Sequence, residues 1–193
     1  MRRETINLTV ALAATTLAIW IGGCAMSKSG SNSAGVPAAD KPASGEVISA
    51  LVQSAGAFVN NDKLPLVVYR DVLPADEGAS WFEDRFTANQ WPSMWRAGLY
   101  DYHHYHSVAH ETLGVYRGEA KVQFGGSTGT IYSVSRGDVV VIPAGVTHKL
   151  VSSSGGFTVV GAYPTGQSPD MKYGREGERP AADKAIANVP LPK

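Results

Sequence analysis

The chain has 193 residues, and its 17 basic and 17 acidic side chains give a formal charge of zero at pH 7. A neutral chain lacks the broad positive surface with which proteins bind nucleic acid, so no nucleic-acid partner is expected. The 44% hydrophobic content is typical of a globular protein of one ordinary domain. The 21 glycines and 11 prolines favour an all-β architecture with many turns.

The first residues predict an export signal that ends in a lipid-bearing cysteine. A pair of arginines opens the chain, and a mostly apolar run follows over 6–21. The segment then ends in Ile21-Gly22-Gly23-Cys24, which resembles a bacterial lipobox. The resemblance implies a signal peptide over 1–23, lipidation of Cys24 and a lipoprotein anchored to a membrane of the bacterial cell envelope, facing the periplasm or the exterior. The alternative is a membrane-spanning anchor with an unimportant thiol, although the run is short for the ~20 residues of a full span.

Residues 24–45 predict a flexible tether, because Ser, Ala, Gly, Lys and Pro dominate and almost no large apolar side chain is present. A single folded domain is predicted over 46–193. Its first segment, Val47 to Val59, carries apolar side chains at loosely helical spacing and predicts a short helix. A strand is expected over 64–69.

A helix is predicted from Ser80 to about Asn89, with Ser80 as its N-cap and Glu83 completing a capping box. From Leu99 onward the pattern changes to short apolar runs between breaks that contain Gly or Pro, which is typical of a sandwich or barrel. The predicted strands cover 99–106, 111–116, 120–124, 130–134, 138–142, 147–151 and 157–163. The run over 139–142 is apolar on both faces, so one face should meet the interior and the other needs cover from a preceding helix or a second subunit.

All five histidines lie in two short segments, and their spacing predicts a metal site. Alternate side chains of a strand share a face, so His104 and His106 should point the same way. Glu111 follows across a short turn, and His148 arrives from another strand after the Pro143-Ala144-Gly145 turn. Three imidazoles and one carboxylate suit one divalent Mn, Fe, Co, Ni, Cu or Zn ion. No cysteine is available for the common structural zinc sites.

The same residues resemble the two sequence motifs of the cupin family. The first motif is matched by Gly98, His104, His106, Glu111 and Gly118. The second is matched by Gly137, Pro143, Gly145 and His148, with Ser152 where the family usually has asparagine. The likeness covers a motif core over 98–163. It implies an all-β fold, a double-stranded β-helix or jelly-roll barrel of the cupin type, here with short helices N-terminal to the barrel.

The resemblance also implies a metal inside the barrel, a small-molecule ligand or substrate, and often a homodimer. Family members with three His and one Glu often use O2 to cleave rings or C–C bonds, so a metal-dependent oxidoreductase of the dioxygenase type is the first expectation. Glu111 would then be a ligand, or a catalytic base if it leaves the metal. The alternatives are a cupin isomerase or decarboxylase, and a non-catalytic envelope protein that binds metal or a small ligand.

Strand alternation extends these expectations to the neighbouring residues. His103 should face away from the metal, and His110 should lie on the surface or beside a ligand, where it could cap the turn. Tyr100 and Tyr102 should pack in the barrel as aromatic core rather than line the pocket. An apolar pocket lining is predicted from Leu113, Val115, Val122 and Phe124.

Overall fold

The computed structural model describes residues 45–192. The predicted signal peptide, the lipidation site Cys24 and nearly all of the predicted tether lie outside this range. The elements, in chain order, are β1 (Val47–Val52), β2 (Asn61–Tyr69), α1 (Ala79–Ala88), β3 (Ser93–Ala97), β4 (Glu111–Phe124), β5 (Thr130–Ser135), β6 (Val139–Ile142), β7 (His148–Tyr163) and α2 (Ala181–Ala187). Across residues 45–192, neither helix has the length and apolar character that a bilayer crossing requires.

The strands form one antiparallel sheet in the order β1-β2-β6-β4-β7-β3, with β5 paired to β4. The two longest strands, β4 and β7, pair along their lengths, from Thr112↔Ala162 to Phe124↔His148. A straight strand with the 14 residues of β4 would span about 45 Å. Glu111 opens β4 and His148 pairs with its far end, yet their side chains lie 3.2 Å apart. The ribbon therefore curls closed, and the predicted all-β jelly-roll barrel of the cupin type is confirmed.

The core has an inner and an outer part, on opposite faces of the sheet. The inner part is formed by alternating residues of five strands: Leu66, Val68, Leu113, Val115, Val122, Phe124, Val134, Val140, Ile142 and Val159. On the outer face, α1 places Phe82 and Phe86 against Val139 and Val160. The helix can approach this closely because Gly114 has no side chain, since a Cβ there would lie 2.6 Å from the Phe82 ring.

The short helix predicted from Val47 to Val59 is not formed, because residues 47–52 form the strand β1. Its side chains alternate between exposed and half-buried, and it pairs antiparallel with β2. The β-branched residues of this segment suit a half-buried strand better than a helix. Both β1 and β2 precede α1 in the chain, so the helix is not N-terminal to the whole sheet. The second short helix, α2, follows the last strand.

The second helix prediction is right, but its capping box is not formed. Gly78 is the N-cap of α1 and has no side-chain hydrogen bond to the helix. Glu83 instead accepts two hydrogen bonds of 2.6 Å from Arg96 on β3. The strand β6 is apolar on both faces, and its outer face was expected to need cover. The preceding helix α1 supplies this cover, because it packs against Val139.

The strand predicted over 99–106 is also wrong, since this segment is a loop with two isolated bridges, His104↔His148 and Tyr105↔Lys172. In contrast, two pairs of predicted strands each fuse into one strand, β4 and β7. The glycines between the predicted strands are tolerated within the ladder: Gly118, Gly155 and Gly156 all have positive φ angles near register shifts. Glycine reaches this conformation without a steric penalty, so the ribbon bends there instead of ending.

Candidate metal centre

Three different parts of the fold deliver four buried polar side chains to one point. Glu111 is the first residue of β4 and His148 the first of β7. His104 and His106 come from the loop before β4, where reciprocal backbone hydrogen bonds join His104 to His148. All four residues are at most 6% exposed. The structure therefore brings together the four residues that the spacing predicted, although two of them lie on a loop rather than a strand.

Each of the three histidines is oriented through its Nδ1 atom. Nδ1 of His104 lies 3.2 Å from the carbonyl oxygen of Tyr102, and Nδ1 of His148 lies 3.1 Å from that of Val146. Nδ1 of His106 is hydrogen bonded to the carbonyl oxygen of Asp170. A carbonyl only accepts, so each Nδ1 carries a proton, and in the neutral imidazole each Nε2 then keeps its lone pair.

The remaining donor atoms converge. One nitrogen from each histidine lies within 4.8 Å of the other two. Glu111 Oε2 lies 3.2 Å from His148 Nε2 and 3.6 Å from His106 Nε2, while Glu111 Oε1 accepts a 2.9 Å hydrogen bond from the Tyr163 hydroxyl. Oε2 is buried and has no hydrogen-bond partner of its own. A buried carboxylate oxygen without a partner destabilises the folded protein unless a positive ion or a hydrogen-bond donor binds it.

The electrostatics favour a neutral imidazole at His104 and an ionised carboxylate. Burial and, to a smaller extent, the neighbouring His148 lower the pKa of His104 to about 3. Burial alone would raise the pKa of Glu111, but His106 and His148 outweigh it and hold this pKa below its usual range. For His106, burial lowers the pKa, but Glu111 outweighs this effect and raises it. Neutral imidazole and charged carboxylate are the forms that bind metals.

The donor set fits a divalent first-row ion. Three Nε2 atoms with oriented Nδ1–H groups and one carboxylate oxygen without a partner form a mixed nitrogen and oxygen environment of the kind these ions accept. His104, His106 and His148 are buried and close enough to bind one metal ion. The complete ligand set, His104, His106, Glu111 and His148, stays a prediction, as does the identity of the metal.

The donor atoms face an open cavity of about 320 Å³. Its wall is mostly apolar and aromatic, with Trp95, Ala97, Gly98, Leu99, Tyr100, Tyr163, Pro169, Asp170 and Met171 around the four converging residues. Within residues 45–192, no lysine or arginine lines the cavity. A cavity of this size and character suits a small organic molecule that approaches the donor atoms from one side.

The expected pocket lining is wrong. Leu113, Val115, Val122 and Phe124 are buried in the inner core and do not reach the cavity. Tyr100 is 52% exposed and lines the cavity, so it is not barrel core. The reason is that residues 98–102 form a loop at the mouth, where strand alternation does not apply.

Tyr102 and the two remaining histidines complete the neighbourhood. Tyr102 is 41% exposed and stacks on Tyr100 with 4.8 Å between ring centroids, so it too lies outside the core. His103 faces away from the centre, as expected, with its ring 5.4 Å from that of Phe58. His110 is buried, and its Nδ1 accepts a 3.0 Å hydrogen bond from the backbone N–H of Ala144. His110 therefore holds the turn that precedes His148.

Sequence reasoning missed three residues that shape the centre. Tyr163 binds Glu111, Trp95 lines the cavity, and Asp170 orients His106. Tyr163 stands near Glu111 because Ala162 pairs with Thr112, a register that the apolar pattern does not specify. Asp170 acts on His106 through its backbone carbonyl, and a backbone contact leaves no signal in the residue type.

None of the family models matches the chain. Solved structures give distant similarities. An epimerase, RmlC (dTDP-6-deoxy-D-glucose-3,5-epimerase) from Legionella pneumophila Philadelphia 1, in complex with dTDP-4-keto-L-rhamnose, is 15% identical with a TM-score of 0.34, covering 62% of this chain and 72% of that one. Vicilin from Corylus avellana (hazelnut) is 19% identical with a TM-score of 0.33, covering 72% of this chain and 40% of that one. Pumpkin seed globulin is 19% identical with a TM-score of 0.33, and the match covers 47% of this chain and 26% of the globulin. At these scores the similarities say nothing about what this chain binds or catalyses.

A much stronger similarity is found in sequence. Uncharacterized protein YjlB of Bacillus subtilis (strain 168) is 47% identical over 137 residues, which is 71% of this chain and 81% of YjlB. Identity at this level over most of both chains shows common descent. The chain belongs to the same family as YjlB.

Proposed function

We propose that the protein is a metal-dependent oxidoreductase of the dioxygenase type that acts on a small organic molecule at the bacterial cell envelope. One observation carries the proposal. Three oriented Nε2 atoms and the partnerless Glu111 Oε2 converge at the wall of an open cavity. A metal that served only stability would need no open cavity beside it. The barrel also has its own apolar core, so a metal is not required to stabilise it.

The residues of the chain have separate tasks in this proposal. His104, His106, His148 and Glu111 hold the ion, and the apolar wall of Trp95, Leu99 and Met171 binds the body of the substrate and excludes water. When bound, a first-row divalent ion would act as a Lewis acid on a substrate oxygen and, if redox-active, support reaction with O2. The part of the cavity wall formed by residues 45–192 has no lysine or arginine, and this favours a substrate without phosphate groups.

Placement at the cell envelope is the part of the proposal that is supported by sequence alone. A lipobox-like segment ending in Cys24 implies an anchored lipoprotein. Labelling with a radioactive fatty acid should mark the wild-type protein and leave Cys24→Ser unlabelled. A wild-type protein without label would contradict the anchor, without bearing on the metal centre.

The experiment that tests the catalytic proposal starts with the protein from its native host, truncated to begin after Cys24 and purified without chelators or metal-affinity resin. Elemental analysis should find one equivalent of Fe, Mn, Cu or Ni per chain. O2 consumption should then rise with at least one member of a panel of catechols, flavonols and 1,3-diketones, and should vanish in His148→Ala. Light scattering of the same sample tests the homodimer that the resemblance implies.

Three outcomes separate the alternatives. Zinc in place of a redox-active ion would favour the alternative that the protein is an isomerase or decarboxylase. Exchangeable metal of micromolar affinity, without turnover of any panel member, would support a non-catalytic binding protein. A protein that is isolated without metal and takes up none on addition of Fe²⁺, Mn²⁺, Co²⁺ or Zn²⁺ would overturn the metal centre.

A further inference from the structure

The two carboxylate oxygens of Glu111 have different surroundings. Oε1 accepts the hydrogen bond from the Tyr163 hydroxyl at 2.9 Å. Oε2 faces the Nε2 atoms of His148 and His106 and has no hydrogen-bond partner. One oxygen is therefore occupied by the protein, and the other is directed at the point where the imidazoles converge.

Tyr163 is itself held from two sides. Its ring meets the His106 ring edge to face, with 5.5 Å between centroids. Its hydroxyl donates to Glu111, and Trp95 lines the same cavity.

The Trp95 ring is fixed by the strand it lies on. Trp95 of β3 pairs with Gly161 of β7. A Cβ at Gly161 would lie 2.1 Å from the indole ring, so the ring rests directly on the bare backbone of β7. Trp95 is thereby held against β7 at Gly161, two residues before Tyr163.

We propose that Tyr163, supported by Trp95, is a positioning residue that restricts Glu111 to binding the metal through one oxygen, Oε2. The inference rests on the proposed metal centre and deepens it. It also decides between the two roles open to Glu111, because a carboxylate with one oxygen on Tyr163 and the other among the imidazoles is a fixed ligand and not a mobile base.

Energetics support this assignment. Two-oxygen binding, or rotation of Glu111 away from the centre, would take Oε1 from the Tyr163 hydroxyl. The half-buried Tyr163 hydroxyl would then lack its acceptor, which is unfavourable. One-oxygen binding in turn leaves coordination positions open toward the cavity, where a small molecule can reach them.

The test compares Tyr163→Phe with Tyr132→Phe, using Co²⁺ as the only added ligand. Both variants lose one hydroxyl and keep the ring; Tyr132 packs against Phe124, and its hydroxyl makes no contact with Glu111. Isothermal titration should show about 10-fold weaker Co²⁺ binding for Tyr163→Phe, which is the usual effect of removing a partner of a metal ligand. Tyr132→Phe should bind as the wild type does.

X-ray absorption at the cobalt edge supplies the readout that a general loss of structure would not produce. The wild type should show nitrogen and oxygen neighbours without the short metal-to-carbon distance of a two-oxygen carboxylate. Tyr163→Phe should gain that short distance or lose one oxygen neighbour. Trp95→Phe should change the spectrum in the same direction by a smaller amount, and it serves as the test if Tyr163→Phe does not fold.

The failures are distinguishable. A wild-type protein that binds no Co²⁺ overturns the proposed metal centre itself. A wild type that binds Co²⁺ while Tyr163→Phe matches it in affinity and spectrum overturns the role of Tyr163 and leaves the centre intact. A wild-type spectrum with a two-oxygen carboxylate also overturns the inference.

Discussion

The metal centre has a strand-borne half and a loop-borne half, and the two halves are held by different forces. Glu111, His148 and Tyr163 lie at ends of β4 and β7, so sheet register positions them. His104 and His106 lie on a loop that has only isolated bridges to other segments. The strand-borne half is therefore fixed by the apolar core, and the loop-borne half by polar contacts around the fully buried Tyr105.

Those polar contacts come mainly from the segment after β7. The Asp170 carboxylate accepts hydrogen bonds of 2.6 Å from both the backbone N–H and the hydroxyl of Ser107. Its carbonyl orients His106, and Lys172 forms a bridge with Tyr105. The geometry of the donor atoms therefore depends on residues such as Asp170 and Lys172, which lie far from both histidine motifs in the sequence.

The largest expected effect comes from removing one donor from either half. His148→Ala, in the strand-borne half, and His104→Ala, in the loop-borne half, should each weaken Co²⁺ binding by more than about 100-fold, beyond the range for residues that only support a ligand. Isothermal titration measures this loss. His103→Ala is the matched control, because that ring faces Phe58, and it should bind Co²⁺ normally. Normal binding by either of the first two variants would remove that residue from the ligand set.

A smaller effect, on stability, is expected from crowding the strand-borne half. Gly161→Ala would place a Cβ 2.1 Å from the Trp95 ring, so the ring or the strand must shift. Overpacking of this kind costs about 1–3 kcal/mol in the free energy of unfolding, which urea denaturation measures. Gly98→Ala is the control, because its Cβ would meet its nearest neighbour at 3.9 Å. Equal stability of the two variants would show that Trp95 is not held by close packing on β7.

The two halves also differ in how far the sequence predicts them. The spacing of two histidines, a glutamate and a distant histidine predicts correctly that His104, His106, Glu111 and His148 converge. This spacing can be read within each of the two short motifs, without knowledge of the rest of the fold. The alternating apolar pattern predicts β2, β5 and β6 closely, since each strand has one face on the core. The same pattern fails at residues 99–106, where contacts with Lys172 and Asp170 set the course of the loop. Such contacts leave no periodic pattern in the sequence.

Loosening the loop-borne half should weaken metal binding while changing global stability less than Gly161→Ala does. Ser107→Ala removes the hydroxyl that donates to Asp170, so the carbonyl that orients His106 is less well fixed. About 10-fold weaker Co²⁺ binding is expected in isothermal titration. Ser153→Ala, on an exposed stretch of β7, should have no effect. Unchanged affinity in Ser107→Ala would show that His106 is held without help from Asp170.

The smallest expected effect is a local dependence on pH in the segment after β7. Burial pushes the pKa of Glu178 up, but hydrogen bonds from the N–H of Tyr173, the Tyr105 hydroxyl and the N–H of Gly174 outweigh it and lower this pKa from 4.5. A lowered pKa in the folded state means that the ionised form stabilises the contact. The stabilisation is complete above pH 4.5 and is lost as the pH falls through the lowered pKa.

Hydrogen exchange, corrected for the intrinsic effect of pH on the rate, should therefore show residues 171–178 losing protection as the pH falls below 4.5, while β7 stays protected. Glu178→Gln removes the ionised acceptor, so its segment should already exchange faster at neutral pH and respond less to acid. If the wild type and Glu178→Gln lost protection at the same pH, other contacts would hold the segment. If β7 lost protection at the same pH as residues 171–178, the strand-borne and loop-borne halves of the centre would not be held independently of each other.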